Sequence, residues 1–243
     1  LPEIQRHIGK FLSVSDLKAC SLVSRAWAES MVPWIWWSIT LGPSTPLPPP
    51  EAMDRHFHQT RSLSFIRENG MNSNLYPLFN QLQSLHIVDP PLGSLEQLQP
   101  FTDLICRNGS TIHTIVQEGN PSLPAGVLRA ILECPSLKQL TITKATFLER
   151  DLEEQMLQTC TRLTHLTLHT AHFSDMNLWQ SNGLVFRHLE SLRLSNVHSQ
   201  VQLEILRQSP NLQRLVLTEK ETISKADFVQ VVIPSCPKLC ALV

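Results

Sequence analysis

Glycine is scarce in this chain, with 8 among 243 residues, and the chain has a single tyrosine. A phosphate-binding loop needs closely spaced glycines, and no such run is present. No apolar run approaches the roughly eighteen residues that a membrane-spanning helix requires. The sequence therefore predicts neither a nucleotide-binding loop nor a membrane-bound protein.

An excess of charge of one sign is also lacking. Lysine and arginine number 20, aspartate and glutamate 21, and the formal net charge is −1. Binding to a nucleic-acid backbone needs clustered basic residues, so we expect no nucleic-acid partner. Charges at Glu3, Arg6 and Lys10 interrupt the apolar residues of the amino terminus, a pattern unlike a secretory signal peptide.

The six cysteines do not predict a disulfide framework. Cys134, Cys160 and Cys236 each stand three residues before a leucine of the repeat described below. We expect these three to be small buried apolar residues. Cysteines without a disulfide framework predict that the protein resides in a reducing compartment, the cytoplasm and/or the nucleus. The glycosylation sequon that begins at Asn108 would matter only in a secreted protein.

The first forty residues predict three short helices. Apolar residues repeat along one face of the first helix, at Leu1, Ile4, Ile8, Phe11 and Leu12. The second helix is predicted to begin with Ser15 as its N-cap and to turn Leu17, Cys20 and Val23 inward. The third runs from Ser24 to Met31 and leads into a tryptophan-rich segment. A unit this small cannot bury so many large apolar groups alone, so a partner is expected.

These residues resemble the F-box. The matches, in order, are Leu1-Pro2, Glu3-Ile4, Ile8, Leu12, Asp16-Leu17, Leu22-Val23-Ser24-Arg25, Trp27 and Ile35-Trp36. The departures are the additional Trp34 and Trp37 and a start without methionine, which indicates a fragment. The resemblance implies docking on a Skp-type adaptor, and through it on a cullin–RING ubiquitin ligase. It implies adaptor-binding residues Leu1, Pro2, Ile4, Ile8, Leu12, Leu17, Val23, Trp27 and Trp36.

The roles of the tryptophans differ. Trp27 and Trp36 match the F-box pattern, and we expect them to pack within the helical unit. Trp34 or Trp37 is expected to rest on the next domain. We assign residues 1–41 to the F-box unit. Five prolines between Gly42 and Pro50 favour an extended, semi-rigid spacer, so residues 42–57 are predicted to be a linker.

Beyond the linker a leucine pattern recurs every 23 to 30 residues. Clear copies begin at Leu82, Leu137, Leu163, Leu189 and Leu212, and weaker ones at Leu63, Ile112 and Leu239. This period is typical of leucine-rich repeats. Ala145, Ala171 and Val197 replace the asparagine or cysteine of many such repeats. Helical patterns lie between the strands, at 124–134, 148–160, 202–208 and 223–232. We therefore predict an α/β solenoid over residues 58–243, with about seven to eight irregular repeats, either complete or truncated, and a parallel sheet on its concave face.

The side chains between the buried leucines are predicted to point into the concavity. Candidate substrate-binding residues are His86, Gln139, Thr141, His165, Thr167, His169, Arg193 and Arg214. A metal site at His165, His169 and His172 is disfavoured, because residues four apart on a strand are about 13 Å apart. We expect no metal and no cofactor. Cys236 and Cys240 leave a thioester-forming ligase as an alternative, although Cys236 falls at a buried repeat position.

An F-box followed by such repeats is similar to fungal-type F-box/leucine-rich-repeat substrate receptors. The resemblance implies a non-enzymatic subunit of a Skp–cullin–F-box ubiquitin ligase that binds a protein target. An alternative from a different class is a leucine-rich-repeat scaffold that acts outside any ligase.

Overall fold

The computed structural model describes residues 2–42, 45, 47–66, 73–89, 95–120, 122–147, 149–175, 178–179, 183–218 and 223–242. Its main element is a nine-stranded parallel sheet in which the strands follow one another in chain order. The strands are β1 (Ser38–Leu41), β2 (Ser62–Ile66), β3 (Ser84–Val88), β4 (Thr114–Glu118), β5 (Gln139–Ile142), β7 (His165–His169), β9 (Ser191–Ser195), β10 (Arg214–Thr218) and β11 (Ala241–Leu242). A second parallel sheet pairs β6 (Ala145–Phe147) with β8 (Ala171–Phe173). The predicted α/β fold with a parallel sheet is confirmed.

One hydrogen-bond arrangement recurs at the start of each strand. The backbone oxygen of Lys138 accepts from the N–H groups of Thr164 (2.8 Å) and His165 (3.1 Å). The same pair of bonds links every neighbouring repeat from β2 to β11. The Trp37 oxygen accepts in the same way from Arg61 and Ser62, at 2.9 Å each. Strand β1 is therefore a regular member of the array, although the sequence placed it in the helical unit.

Helices connect the strands on the other side of the core. They are α4 (Pro50–His56), α5 (Leu95–Asn108), α6 (Ala125–Leu132), α7 (Arg150–Cys160) and α8 (Ser199–Arg207), followed by α9 (Lys225–Asp227), a π-helical turn (Phe228–Val232) and α10 (Ile233–Ser235). Two 3₁₀ turns span Phe57–Gln59 and Ser73–Leu78. Helix α5 packs on α6, and α6 on α7. Packed helices need about twice the spacing of paired strands, which makes the sheet the concave side.

Helix α5 was not among the predicted helices. Pro100 interrupts its sequence pattern, yet Leu98, Phe101, Leu104 and Ile105 have helical spacing and are buried. The other predicted helical segments each contain a helix, with bounds that differ by a few residues.

The repeat leucines form one continuous core. Leu85, Leu140, Leu166, Leu192 and Leu215 are at most 1% exposed. Cys134, Cys160 and Cys236 are buried among them, as the sequence predicted. Ala145, Ala171 and Val197 are also buried. Next to them the Phe147 and Phe173 rings stack, with centroids 4.8 Å apart. Small apolar packing therefore replaces a polar ladder in these repeats.

Several strands are followed directly by a residue with left-handed backbone. Asp89, Thr170 and Asn196 have φ values of 50°, 52° and 53°, and Gly119 has a φ of 87°. Each directly follows a strand, so the chain turns sharply there. Glycine, asparagine and aspartate tolerate this conformation, whereas the β-branched Thr170 is strained in it.

The amino terminus forms helices α1 (Pro2–Gly9), α2 (Val14–Ser21) and α3 (Arg25–Ile35). The N-cap of α2 is Ser13, whose hydroxyl accepts from the Asp16 N–H at 3.2 Å. The predicted N-cap, Ser15, lies inside the helix. Helix α3 continues through Pro33 to Ile35, beyond its predicted end. Packing of Trp34 on α1 favours this longer helix despite the hydrogen bond that Pro33 removes.

The predicted linker contains regular structure. Helix α4 begins at Pro50, where proline is favoured because its fixed φ suits the first helical position. Met53 and Phe57 are buried in the repeat core at 7% and 1% exposure. The second half of residues 42–57 thus belongs to the repeat array. Pro43 and Pro46 lie outside the described residues.

Candidate functional site

The outward-facing side chains of the sheet form one candidate surface, here called the outer sheet face. Along β7, His165, Thr167 and His169 are half-exposed, whereas the leucines between them are buried. Strand register aligns such residues in rows. One row contains Gln139, His165 and Arg214; a second contains His86, Thr141, Thr167 and Arg193; a third contains His169. The structure therefore places all eight predicted substrate-binding residues on one face.

Two contacts on this face join different repeats. The Nε2 atom of His86 lies 3.4 Å from Oε2 of Glu118, a contact that becomes an ion pair when His86 is protonated. The Nε2 atom of His165 lies 3.2 Å from Nη2 of Arg214, two strands away. A guanidinium only donates, so His165 accepts this hydrogen bond through Nε2. Its Nδ1–H then donates to the Thr164 hydroxyl at 2.9 Å.

Three further outward-facing residues were not among the sequence candidates. Glu118 is exposed, Val116 is half-buried, and Ile66 is 42% exposed. The alternation of buried and outward-facing side chains along β2 and β4 would have identified them. Both strands correspond to the weaker repeat copies, at Leu63 and Ile112, and their outward residues were therefore overlooked.

The amino-terminal helices form the second candidate surface. Ile4, Ile8, Phe11, Val14, Leu22 and Val23 are between 40% and 87% exposed, and together they are called the N-terminal apolar surface. Beneath them, the described residues of the unit include only two large buried apolar side chains, Leu17 and Met31. The buried Ser30 hydroxyl donates to Gln5 Oε1 at 2.9 Å and joins α3 to α1. A core this small leaves an unusual amount of apolar area in water.

The adaptor-binding candidates divide by burial. Pro2, Ile4, Ile8 and Val23 are exposed; Leu12, Trp27 and Trp36 are half-buried; Leu17 is buried; and Leu1 lies outside the described residues. The inward orientation predicted for Val23 is wrong, because α2 ends at Ser21 and helical periodicity no longer applies. The sequence candidates omitted Phe11, Val14 and Leu22, which are exposed on the same unit.

The tryptophans connect the helical unit to the array in an unexpected way. Trp36 stacks on His56 and meets the edge of Phe57, with centroids 5.1 and 5.7 Å away. Trp34 instead covers Gly9, where an added Cβ would lie 2.4 Å from its ring. Trp36, which was expected to pack within the helical unit, thus rests on the repeats, which corrects its predicted role. Trp37 does contact the repeats, because the Arg61 guanidinium lies 5.9 Å from its ring centroid.

The three buried cysteines lack the surroundings of a nucleophile. Burial raises the pKa of Cys236 to about 11, and its thiol donates to the Leu206 oxygen at 3.4 Å. Burial likewise raises the pKa of Cys134 and Cys160 to about 12. A reactive thiol needs exposure and a lowered pKa. The geometry at Cys236 therefore gives no support to thioester formation there.

Neither a metal cluster nor a spanning helix is found in the described part of the chain. His165 and His169 share β7, whereas His172 lies in the smaller sheet. Asn108, the first residue of the glycosylation sequon, is fully buried.

The array matches a known family of repeats. The family described as "FBD-associated F-box protein At5g56370, LRR repeats" matches residues 76–243, more than half of the chain. The chain belongs to this family. The predicted leucine-rich repeats are thereby confirmed. The family match begins in the 3₁₀ turn before β3, so the N-terminal apolar surface lies outside it.

Other comparisons add little to the family assignment. No curated protein matches the chain. Among solved structures, a crystal structure of a Bacteroides fragilis protein is similar at 16% sequence identity and a TM-score of 0.34. The similarity covers 67% of this chain and 43% of the bacterial one.

Proposed function

We propose that this chain is a substrate-recognition subunit of a Skp–cullin–F-box ubiquitin ligase. Its amino-terminal helices act as an F-box that binds a Skp-type adaptor, and its repeats bind a target protein. The name of the matched repeat family, which refers to F-box proteins, supports this pairing. Transfer of ubiquitin takes place on other subunits, in the cytoplasm and/or nucleus.

The N-terminal apolar surface is the main support for adaptor binding. Leu22, Phe11 and Val23 are 87%, 77% and 70% exposed, the largest values among the described large apolar residues. Each costs free energy in water, about 25 cal/mol per Å² of exposed apolar area. Because the unit buries so few residues of its own, a second polypeptide that covers this surface would stabilise it.

The junction between the two units suits a receptor. The stacking of Trp36 on His56 and the paired hydrogen bonds at the Trp37 oxygen tie α3 directly to the sheet. A firm connection holds a bound target at a set distance from the adaptor. Such positioning raises the effective concentration of a target lysine near the conjugating enzyme.

The outer sheet face suits recognition of a protein segment. Its hydroxyl, amide and imidazole groups offer hydrogen bonds, and three of its apolar residues, Ile66, Val88 and Val116, lie together at the β2–β4 end of the face. The replacement of the polar ladder by Ala145, Ala171 and Val197 is the divergence expected of fungal-type receptors. We include that assignment in the proposal.

Ile8→Asp tests the proposal against a matched control, Ile233→Asp. Both side chains are exposed, at 40% and 56%, but Ile233 lies in α10 at the far end of the array. We expect Ile8→Asp to abolish co-purification with a Skp-type adaptor and Ile233→Asp to leave it unchanged, with the repeats folded in both. Equal adaptor recovery from the two variants would refute the proposal. Recovery of adaptor without cullin would instead assign the chain to a scaffold outside a ligase.

A further inference from the structure

The charge on the outer sheet face is unevenly distributed. The outward residues of β3 and β4 include Glu118 beside His86, together with the apolar Val88 and Val116. The outward residues of β7, β9 and β10 include Arg193, Arg214, His165 and His169 but no acidic residue. A chain with a net charge of −1 thus has a basic zone on its concave face.

The two arginines are close neighbours. Arg193 pairs in register with Val216, and Arg214 pairs with Ser191, on adjacent strands. Their Cα atoms are therefore about 8 Å apart, given the usual strand spacing and rise per residue. Both point outward and both are exposed. This separation lets two guanidinium groups reach neighbouring anionic groups of one extended ligand.

Neither guanidinium is neutralised by the described residues. Arg193 makes no hydrogen bond or ion pair with them, and Arg214 bonds only to His165, which carries no negative charge. Glu190 directly precedes β9, yet it pairs with neither arginine. Arg129, by contrast, has two carboxylate partners, Glu149 at 2.9 Å and Asp151 at 2.8 Å.

Polar groups around the arginines complete the zone. His165 holds the Arg214 guanidinium above Ser191, whose small side chain leaves room for it. Thr167 lies beside Arg193 in the same row and offers a hydroxyl donor. Guanidinium groups bind carboxylates and phosphates through two parallel hydrogen bonds, and neighbouring hydroxyls strengthen such binding.

We propose that the outer face of β7, β9 and β10 binds an anionic segment of a target protein through Arg193 and Arg214. The inference rests on the proposed receptor function, because it names the chemistry of the recognised target. The anionic groups are carboxylates of aspartate or glutamate, or phosphates on serine or threonine. A nucleic acid is a poorer match, since it needs more basic residues than this zone has and prefers aromatic stacking platforms.

The experiment measures binding of short fluorescein-labelled peptides to the full chain by fluorescence anisotropy. In these peptides serine alternates with glutamate, with glutamine or with phosphoserine. We expect the glutamate or the phosphoserine peptide to bind about tenfold more tightly than the glutamine peptide, with a preference that weakens as salt is added. The two are compared at equal total charge, since a phosphate carries about twice the charge of a carboxylate, and the tighter binder then identifies which anionic group the zone prefers.

Two double variants with the same change in net charge serve as the test and its matched control. Arg193→Gln with Arg214→Gln should abolish the preference for anionic peptides. Arg25→Gln with Arg150→Gln should retain it, because these exposed arginines lie on α3 and α7, away from the sheet. Retention of the preference in the first double variant overturns the inference. So does equal binding of all peptides, or tighter binding of a single-stranded oligonucleotide.

Adaptor capture by the same proteins separates this inference from the receptor function. If the wild-type chain prefers anionic peptides but captures no adaptor, the ligase role fails and the peptide site stands. If it captures adaptor and shows no peptide preference, the receptor function stands and the anionic-segment inference fails.

Discussion

The indole ring of Trp36 stacks on the imidazole of His56, with centroids 5.1 Å apart and 21° between the planes. Trp36 follows helix α3, whereas His56 is the last residue of α4, so the contact closes the junction between the helical unit and the repeats. Phe57 continues the aromatic series and stacks on Phe79 at 4.7 Å. The junction is thus an extension of the repeat core.

Trp36→Ala should loosen this junction. The indole is half-buried, so we expect a loss of about 2–3 kcal/mol, less than for a fully buried tryptophan. Urea unfolding followed by fluorescence would measure it, and hydrogen exchange should accelerate most in α3 and α4. Trp36→Phe is the control, since it keeps an aromatic ring and should lose less. Unchanged exchange at the junction in Trp36→Ala would contradict this account.

The same junction should be sensitive to acid. Burial lowers the pKa of His56 below its usual 6.5, with Arg55 and His58 adding to the effect. The unfolded chain therefore binds the proton more readily, and stability falls as the pH drops through 6.5 toward the folded-state pKa. His56→Phe keeps the stack without a titrating group. We expect its melting temperature to decrease less than that of the wild type between neutral and mildly acidic pH.

Thr170→Asn should stabilise the protein. A β-branched residue at a φ of 52° is strained, and asparagine tolerates this conformation. The backbone bond from Thr170 N to the Ser195 oxygen, 2.8 Å long, does not depend on the side chain. We expect a gain of about 1 kcal/mol in the free energy of unfolding. Thr167→Asn, in strand β7 just before Thr170, is the control because Thr167 has ordinary strand backbone and should give no gain. Equal effects of the two substitutions would argue against the strain.

Asn108→Leu should be strongly destabilising. The buried Asn108 amide donates to the oxygens of Phe79 and Leu104, and its Oδ1 accepts from the Leu82 N–H, at 2.9 to 3.0 Å. Leucine would leave three buried backbone groups with fewer partners, at a cost of about 3 kcal/mol. Chemical denaturation would measure the loss. Asn211→Leu is the comparison, because the half-buried Asn211 amide makes one solvent-exposed hydrogen bond, to the Arg187 oxygen at 2.7 Å. A similar loss there would refute a special role for Asn108.

The strands of the array were predictable because their pattern is local. Leu140 and Ile142 alternate with Gln139 and Thr141, so a short stretch of sequence already determines which side chains face the core. The same alternation placed His86 and Arg193 on the outer face. The repeat register also predicted the burial of Ala145 and Ala171, because it depends only on their position in the repeat.

The junction and the charged zone were decided by tertiary structure. Trp36 and His56 are twenty residues apart, and Arg214 reaches His165 across forty-nine. Such contacts exist only after the repeats have stacked. Stacking determines which outward-facing residues of neighbouring strands align and which aromatic rings come into contact. The sequence by itself therefore determined the repeat, its period and its buried face. Only the stacked structure determined that β1 joins the sheet, that Trp36 rests on the repeats and that Arg193 and Arg214 lie on adjacent strands of the concave surface.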